Sequence, residues 1–369
     1  MRGIGKHDAK NKSGAKKQLS SFARSLLAEW LDLGLPAHDA RVVIAASGGA
    51  DSTALSLAFA ELIEAARLTL DVTVAHLDHG LRGAAGASDA CWVEALAAEL
   101  GFDAVLEKIS VGARAAKAKD NLEQAARGAR YEFLLEAATK CGARFVLTGH
   151  TMDDQAETVL LRLLRGSGAE GLGGMKPLRT LVGGREDVLL ARPLLRWARR
   201  AETEKYCAAR GVQPRIDEMN ADERFARVRL RHKLVPLLET FNPRAVAAIS
   251  RAASLLRDDA RALELAAEQL LVEACETTEA RATMQIESSR SSVLRVEVLE
   301  AAPCALRRRA LRQWIVRERG SLRRLELVHL VAIEKLLAGE RGGRKALLPC
   351  GAYVERRRRW IRFHPARVD

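Results

Sequence analysis

A short run of glycine and hydroxyl residues follows the first strongly apolar segment of the chain. Residues 46–55 read Ala-Ser-Gly-Gly-Ala-Asp-Ser-Thr-Ala-Leu, directly after the apolar residues 42–45. Gly48 and Gly49 permit a tight turn, and the free N–H groups at the start of a following helix attract an anion. The spacing fits neither a Walker loop nor a dinucleotide fingerprint. The pattern favours a phosphate-binding junction between a strand and a helix over an ordinary β-turn.

A second polar cluster closes the next apolar run. Residues 76–82 read His-Leu-Asp-His-Gly-Leu-Arg. If this run is the neighbouring strand of a parallel sheet, His76 and Asp78 lie beside the phosphate-binding turn, in reach of a nucleotide bound there. Arg82 could then stabilise negative charge on a leaving group. The alternatives are that Asp78 merely stabilises its own loop, or that the histidines bind a metal, for which a third ligand is lacking.

Acidic residues cluster at the start of a later helical segment. Residues 148–158 read Thr-Gly-His-Thr-Met-Asp-Asp-Gln-Ala-Glu-Thr. Thr151 and Asp154 have capping-box spacing, which explains part of the pattern. Capping does not require Asp153 or Glu157, and Asp154 and Glu157 share one helix face. The cluster therefore favours a pocket for Mg²⁺ or for the ammonium group of an amino acid over a helix cap alone.

Two arginines share one face of the helical segment that begins near Asn121. Arg127 and Arg130 are three residues apart in this segment. They form either a solvated basic stripe or a contact for a phosphate or carboxylate.

Apolar runs alternate with amphipathic segments from residue 41 to about residue 195. This alternation predicts an α/β fold, an open and mostly parallel sheet with helices on both faces, with ligands at the carboxyl ends of its strands. The expected strands are Val42–Ala46, Val72–Leu77, Ala104–Ile109, Phe145–Thr148 and Val188–Ala191. The expected helices are Thr53–Ala66, Ser88–Leu100, Leu122–Lys140 and Asp153–Leu164.

The remainder of the chain differs in character. A Gly-rich and Arg-rich linker, Gly166–Gly184, is expected to be a surface loop over the site. A helical, arginine-laden region follows Pro193, and the end of the chain reads as a small α+β unit with strands at Leu294–Val298 and Tyr353–Glu355 and a helix at Ala305–Glu318. We therefore predict a basic tail at 1–18, an α/β domain that carries the motifs above at 19–225, a basic helical region at 226–285 and a small α+β C-terminal domain at 286–369.

The composition indicates a polyanionic partner. The chain has 369 residues, a formal charge of +13 and a pI near 9.8, which favours nucleic acid. The six cysteines form no Cys-x-x-Cys pair, so a zinc ribbon or an iron–sulfur ligand set is not indicated. No apolar run approaches the roughly 20 residues of a membrane span. We expect a cytoplasmic protein with free thiols and leave open whether it is a monomer or a homodimer.

Taken in order, these motifs resemble the tRNA(Ile)-lysidine synthetase family, whose members belong to the PP-loop ATP pyrophosphatases with an adenine nucleotide α-hydrolase-like fold. The resemblance also includes residues 160–168, Leu-Leu-Arg-Leu-Leu-Arg-Gly-Ser-Gly, and Arg192 to Leu195. It continues through Asp217–Asn220 to Pro236. Met219 stands where the family usually has Ser, and Val228 where it often has Asn.

The resemblance implies an activity. Such enzymes are ligases that attach lysine to C2 of the wobble cytidine in the CAU anticodon of an isoleucine tRNA. The cytosine O2 attacks the α-phosphate of ATP, pyrophosphate leaves, and the lysine ε-amine then displaces AMP. The implied ligands are ATP, Mg²⁺, L-lysine and the tRNA. The resemblance makes residues 19–225 the ATP-binding catalytic domain and residues 226–285 the helical tRNA-binding region.

The resemblance also implies residue roles. ATP binding falls to Ser47, Gly48, Gly49, Ala50, Asp51, Ser52, His76, Asp78 and His150. Catalytic roles fall to Asp51, His79 and Arg192; metal binding to Asp51 and Asp153; and lysine binding to Asp154 and Glu157. The tRNA contacts are Arg127, Arg130, Arg227 and Arg231, supported by Arg229 and the basic stretches Arg307–Arg309 and Arg356–Arg359.

Three other functions share some of these features. A PP-loop tRNA thiolase of the cytidine-thiolating branch typically carries Cys-x-x-Cys pairs, which this sequence lacks. A glutamine-dependent ligase needs an amidotransferase and leaves the basic C-terminal stretches unexplained. A nucleotide-dependent RNA-binding protein without enzymatic activity remains the non-catalytic alternative.

Overall fold

The computed structural model describes residues 18–80, 82–112, 122–182, 185–215, 223–275, 293–339 and 344–366. The chain divides into two compact units, residues 1–254 and 255–369. The sequence-based boundaries at 18, 225 and 285 are finer than this division and stay predictions. Asn121, Asp217–Asn220 and nearly all of the basic N-terminal tail lie outside the described residues.

A six-stranded sheet forms the centre of the first unit. Its strands are β1 (His38–Ala45), β2 (Thr69–Asp78), β3 (Asp103–Lys108), β4 (Phe145–Thr148), β5 (Leu178–Val182) and β6 (Arg185–Ala191). The strand order is β3-β2-β1-β4-β6-β5, and every neighbouring pair is parallel except β5 with β6. Because the order reverses beside β1, the loops after β1 and β4 diverge there and open a crevice. The predicted fold class is confirmed.

Helices cover both faces of this sheet. They are α1 (Ser21–Asp32), α2 (Ala50–Glu64), α3 (Ala84–Glu99), α4 (Leu122–Cys141), α5 (Met152–Leu164) and α7 (Arg200–Ala209), with a short helix α6 at Ala169–Leu172. One core packs α1, α2 and α7 around buried Trp30 and Phe59. A second core packs α4 against β1, β4 and β6 through Phe133 and Leu134. The two cores hold the sheet from opposite sides.

The linker at Gly166–Gly184 is more ordered than a surface loop. It contains α6 and the edge strand β5, and Leu181 is buried in the core beneath α4. The sequence pattern did not reveal this strand because Gly and Pro residues flank a stretch of only five residues, Leu178–Val182. Its antiparallel pairing with β6 closes this side of the sheet.

A buried carboxylate fastens α2 to its neighbours. Glu61 of α2 accepts hydrogen bonds from the Ser20 N–H at 2.6 Å, the Ser20 hydroxyl at 2.8 Å and the Tyr206 hydroxyl at 2.6 Å, and it also pairs with Arg210. Burial opposes ionisation, but these donors hold the pKa of Glu61 below its ordinary value. The helix that begins at the glycine turn is therefore fixed by α1 and α7.

Helices also continue beyond the sheet. α8 (Ala226–Arg229) runs through a π-helical turn (Leu230–Leu234) into α9 (Val235–Phe241), and α10 spans Ala245–Ala274. In the second unit, α11 (Val296–Ala301), α12 (Cys304–Arg319) and α13 (Leu327–Leu337) pack on a sheet of order β7-β10-β9-β8. Its strands are β7 (Val293–Arg295), β8 (Lys345–Leu347), β9 (Tyr353–Arg357) and β10 (Trp360–His364). The expected strand at Leu294–Val298 is wrong beyond Arg295, where α11 begins.

Among the described residues, none of the helices combines the length and the apolar character that crossing a membrane requires.

Candidate active site

A cavity of about 310 Å³ opens at the carboxyl ends of β1, β2 and β4. Its walls come from the turn after β1, the end of β2, the first turns of α3, the middle of α4, and the loop between β4 and α5 with the start of α5. The sequence-predicted residues that line it are Ser47, Asp51, Ser52, His76, Asp78, His79, Arg82, Arg130, His150 and Asp154. Segments far apart in sequence thus form one polar chamber.

The glycine turn is held by its own hydroxyl groups. Gly48 adopts a φ of +81°, and α2 begins directly after Gly49. The Ser47 N–H donates to the Ser52 hydroxyl at 3.2 Å, and that hydroxyl donates to the Gly49 carbonyl at 3.1 Å. The positive φ explains why glycine stands at position 48. The two serines shape the turn, and the start of α2 supplies the N–H groups that an anion would meet.

Gly149 brings the acidic helix against the glycine turn. A Cβ at this position would lie 2.8 Å from the Asp51 carbonyl carbon and oxygen and 2.8 Å from the Ser52 nitrogen. Glycine is therefore required for the loop after β4 to pass so close to α2. The contact places His150 and Asp154 in the same cavity as Ser47, Asp51 and Ser52.

The end of β2 presents polar atoms that lack hydrogen-bond partners among the described residues. His76 contacts the Ala46 carbonyl through Nδ1 at 2.9 Å, which ties β2 to the glycine turn. Asp78 accepts the Gly80 N–H at Oδ1, at 2.9 Å, while its buried Oδ2 and the buried His79 Nδ1 have no hydrogen-bond partner among the described residues. Gly86 gives the Asp78 carboxylate room, since a Cβ there would lie 2.6 Å from Oδ1. Lys108 Nζ lies 3.8 Å from Asp78 Oδ2, beyond hydrogen-bond distance. Buried polar atoms without a hydrogen-bond partner on a cavity wall favour a polar ligand.

Asp51 lies in the first turn of α2 and has an unusual ionisation. Its Oδ1 accepts the Thr203 hydroxyl at 2.5 Å, and Arg200 Nε lies 3.7 Å from Oδ2. Burial raises the pKa of Asp51 to about 6, although the Thr203 hydrogen bond opposes the rise. A divalent cation would stabilise the carboxylate and reverse this shift.

Arginines surround the two carboxylates expected to bind lysine. Arg227 donates from Nε to Glu157 at 2.6 Å and from Nη2 to Asp154 at 3.0 Å. Arg231 donates from Nε to Glu157 at 2.8 Å, and Arg200 lies 3.4 Å from Asp154. Glu157 is 1% exposed and does not line the cavity, whereas Asp154 does. In this conformation the acidic pair holds α8 and the π-turn against α5.

His150 stays neutral. Its Nδ1 contacts the Thr148 hydroxyl at 2.8 Å. Burial lowers the pKa of His150 to about 4; nearby Asp154 opposes this shift and Arg192 adds to it. Asp154, in contrast, keeps a pKa below its ordinary value in spite of burial, because of Arg227 and His150. The pair is therefore a neutral imidazole beside a carboxylate at neutral pH.

Several predicted site residues lie away from the cavity. Asp153 pairs with Arg199 and accepts the Arg200 N–H at 2.8 Å, so its oxygens are engaged within the protein. Arg192 is 3% exposed and donates from Nη1 to the Lys176 carbonyl at 2.6 Å. Arg127 stacks on Tyr131 with 5.4 Å between its Cζ and the ring centroid. Of the described residues, no three or more His, Cys, Asp or Glu side chains form a metal-ligand group.

Sequence reasoning overlooked some residues that shape the site. Arg200 and Thr203 of α7 contact Asp51. The Arg215 N–H donates to the Gly48 carbonyl at 2.9 Å, and its side chain pairs with Asp89 on the cavity wall. These residues lie in arginine-rich stretches and do not follow the spacing of any motif, so the sequence did not indicate them as site residues. Only Thr203, a hydroxyl residue among charged ones, gave a weak indication.

Comparison with known proteins first identifies the class. The PP-loop domain family matches residues 16–238, and the TilS substrate binding domain matches residues 294–362. The first match contains the glycine turn, the cavity and the acidic helix. The fold and the cavity are thus those of a PP-loop domain.

Curated relatives identify the family. The chain is 39% identical over 329 residues to the tRNA(Ile)-lysidine synthase of Geobacter sulfurreducens, covering 89% of this chain and 66% of the relative. It is 37% identical to the Symbiobacterium thermophilum protein of the same name, covering 88% and 66%. It is 34% identical to the Nostoc sp. protein of the same name, and the match covers 87% of this chain and 90% of the relative. The chain belongs to the tRNA(Ile)-lysidine synthase family.

The first two relatives are longer than the chain, which spans 66% of each. Similarity to solved structures is more distant: the U34-tRNA thiolase NcsA from Methanococcus maripaludis is 15% identical, with a TM-score of 0.49, covering 64% of this chain and 79% of that one.

Proposed function

We propose that the protein uses ATP to attach L-lysine to C2 of the wobble cytidine in the CAU anticodon of an isoleucine tRNA, releasing AMP and pyrophosphate. The observation that carries the proposal is the contact of Gly149 with the first turn of α2. Because of this contact, the glycine turn and the acidic helix line the same cavity. The family's name and the excess of basic residues agree with this assignment.

The first half-reaction is an adenylation at the cavity floor. ATP phosphates lie on the turn formed by Ser47 to Ser52, including the Gly48, Gly49 and Ala50 backbone, and adenosine lies toward His76, Asp78 and His79. Asp78 Oδ2, which has no hydrogen-bond partner among the described residues, accepts a hydrogen bond from the nucleoside. The cytosine O2 attacks the α-phosphorus, and the bond to the β-phosphate oxygen breaks to release pyrophosphate. Arg82 and Arg130 line the cavity and stabilise the leaving charge.

Mg²⁺ fits Asp51 better than Asp153. Mg²⁺ is usually held by one or two carboxylates together with substrate phosphates. Asp51 lines the cavity beside the glycine turn, whereas the Asp153 carboxylate is engaged by Arg199 and the Arg200 N–H. When bound, the ion would neutralise phosphate charge. We therefore assign the metal to Asp51 and keep Asp153 as an anchor of α7.

Lysine binding requires a rearrangement near Asp154 and Glu157. Both carboxylates are paired with arginines, so an ammonium group must compete with Arg227. Arg227 is about two-fifths exposed, and tRNA phosphates would attract it. We propose that the lysine ε-amine then displaces AMP from C2 of the adenylated cytidine. In the tRNA complex Arg227 and Arg231 contact RNA phosphates, and Arg127 and Arg130 are further candidates for such contacts.

The enzymatic assignment is tested by incubating the protein with radiolabelled lysine, ATP and a tRNA transcript that carries the CAU anticodon. Label should enter the tRNA only when ATP is present, with one AMP released per lysine. A transcript with a uridine at the wobble position is the matched control and should stay unlabelled. Binding of tRNA without labelling would favour the non-enzymatic alternative, and labelling by a sulfur donor instead of lysine would favour a thiolase.

A further inference from the structure

Arginines of the first unit differ sharply in their partners. Arg199, Arg200, Arg227 and Arg231 all contact carboxylates. A second set, Arg127, Arg179 and Arg192, lies around Tyr131. In the part of the chain that the structure describes, no carboxylate lies within 4.0 Å of their guanidinium groups. Among the described residues, no acidic side chain therefore neutralises the positive charge of this set by direct contact.

The geometry of this set is compact. Arg127 and Arg179 contact the ring of Tyr131, with 5.4 Å and 5.0 Å between each Cζ and the ring centroid. Arg179 Nη1 donates to the carbonyls of Thr180 and Leu181 at 2.6 Å and 3.0 Å. Arg192 is 3% exposed, and its Nε has no hydrogen-bond partner among the described residues. A buried guanidinium N–H without an acceptor is costly unless a ligand supplies one.

The pKa values of Arg192 and Tyr131 reflect the positive charges packed around them. Burial lowers the pKa of Arg192 to about 10, and the like charges of Arg179 and Arg127 add to the effect. Burial alone would raise the pKa of Tyr131, yet Arg127 and Arg179 hold it below its ordinary value. An anion at this place would relieve the repulsion among the guanidinium groups.

We propose that Arg127, Arg179 and Arg192 around Tyr131 bind a phosphate group of a reactant. Planar guanidinium groups match the oxygens of a phosphate, and two of them are already oriented by the phenol ring. Arg130 follows Arg127 by three residues on the same helix and lines the cavity, so one helix carries both the cluster and part of the cavity wall. This inference rests on the proposed function, which supplies two sources: an anticodon phosphodiester or the pyrophosphate released from ATP.

The test compares Arg179→Gln with Arg41→Gln in the full chain. Arg41 is 59% exposed and lies in β1, so the control removes the same charge from another part of the first unit. Two equilibria are measured without lysine: binding of the tRNA transcript over a range of salt concentrations, and binding of pyrophosphate alone. Loss of one charged phosphate contact should weaken binding on the order of fivefold to thirtyfold.

The two sources give different results. If the phosphate belongs to the RNA, Arg179→Gln weakens tRNA binding and reduces the slope of log K against log[salt] by about 0.7–0.9, while pyrophosphate binding is unchanged. If the phosphate belongs to pyrophosphate, Arg179→Gln weakens pyrophosphate binding and leaves tRNA binding unchanged. When both affinities match those of Arg41→Gln, the site does not exist.

A second variant guards against misfolding. Arg127 contacts the face of the Tyr131 ring, so Arg127→Gln removes charge while the backbone contacts of Arg179 and Arg192 stay in place. It should reproduce the affinity change of Arg179→Gln with an unaltered melting temperature. If Arg127→Gln binds both ligands like the wild type, the proposal is overturned. Because these binding measurements need no lysine transfer, they remain separate from the test of the overall reaction.

Discussion

The Asp51 side chain lines the cavity, and its negative charge lowers the stability of the folded protein. Its pKa of about 6 lies above the ordinary value of 3.8, so the folded state binds the proton more tightly than the unfolded state does. The stability that this proton provides is complete below about pH 4 and is lost as the pH rises through about 6. At neutral pH the charged carboxylate therefore destabilises the unliganded protein, which agrees with the proposed binding of a cation at Asp51.

Asp51→Asn should separate activity from stability. Lysine incorporation and pyrophosphate release should be abolished, while unfolding above pH 6 should require about 1–3 kcal/mol more than for the wild type. The Asn side chain can still accept the Thr203 hydroxyl. Chemical denaturation at about pH 5 and about pH 8, on either side of the Asp51 pKa, checks the second effect alongside activity assays. A variant that keeps its activity would remove the metal role, and a stability gain that is the same at both pH values would contradict the raised pKa.

Gly149 is the residue on which the shared cavity depends. Gly149→Ala introduces a Cβ 2.8 Å from the backbone of Asp51, and a backbone neighbour cannot move aside cheaply. We expect a loss of at least about 2 kcal/mol of stability or a large rise in KM for ATP.

Gly128→Ala is the matched control for this glycine. Gly128 lies in α4, and a Cβ at this position would have no atom within 4 Å, so its replacement should be neutral or stabilise the helix by up to about 1 kcal/mol. Thermal melts and ATP titrations of both variants distinguish the cases. Similar behaviour of the two would mean that the loop after β4 does not rest on α2.

At the scale of elements, α8 and the π-turn are fastened to α5 by charge pairs. Glu157 is almost fully buried and is held by Arg227 and Arg231, and Val228 between them is buried as well. A buried carboxylate is tolerated because its oxygens are paired. The same pairs occupy the acidic groups that the proposed lysine site uses, which links the position of α8 to lysine access.

A double-mutant cycle with Glu157→Gln and Arg231→Gln measures this attachment. Glu157→Gln removes the carboxylate charge that Arg227 and Arg231 share, although Arg227 keeps its contact with Asp154, and should cost about 3–5 kcal/mol. The coupling with Arg231→Gln should be about 1–3 kcal/mol. Denaturation of the wild type, both single variants and the double variant gives the coupling. Additive losses would show that the pair at 2.8 Å does not hold α8.

At the scale of the whole molecule, the two basic stretches of the second unit differ in how many of their arginines are paired within the protein. Arg307 and Arg308 pair with Glu334, and Arg309 lies near Glu264. Arg356 donates to the carbonyls of Leu336 and Leu337, whereas Arg358 and Arg359 are exposed at the turn between β9 and β10. Internal pairing therefore removes part of the charge that the sequence offers to a polyanion.

Replacement of Arg358 and Arg359 by Gln should weaken tRNA binding and lower its salt dependence by up to about two phosphate contacts, with stability unchanged. Arg307→Gln should instead destabilise the second unit and change affinity little. Filter binding at several salt concentrations and thermal melts separate these results. An unaltered salt slope in the double variant would exclude the β9–β10 turn from the RNA interface.

The sequence by itself determined the parts of this protein that depend on local order. Alternating apolar and amphipathic segments predicted the parallel sheet, and the residues after β1, β2 and β4 were placed at its carboxyl edge because parallel strands end together. The glycine turn and the capping box of Thr151 with Asp154 were likewise predictable, since each depends on neighbouring residues.

Tertiary structure alone decided which charges meet. The sequence could not tell that Glu157 contacts Arg227 and Arg231 or that Asp153 pairs with Arg199. It also could not tell that Arg192 is buried and donates to the Lys176 carbonyl. Nor could it tell that Gly149 rests on α2. Such contacts join residues distant in the chain, and with many arginines available, composition and spacing do not specify which guanidinium is paired and which is left for a ligand.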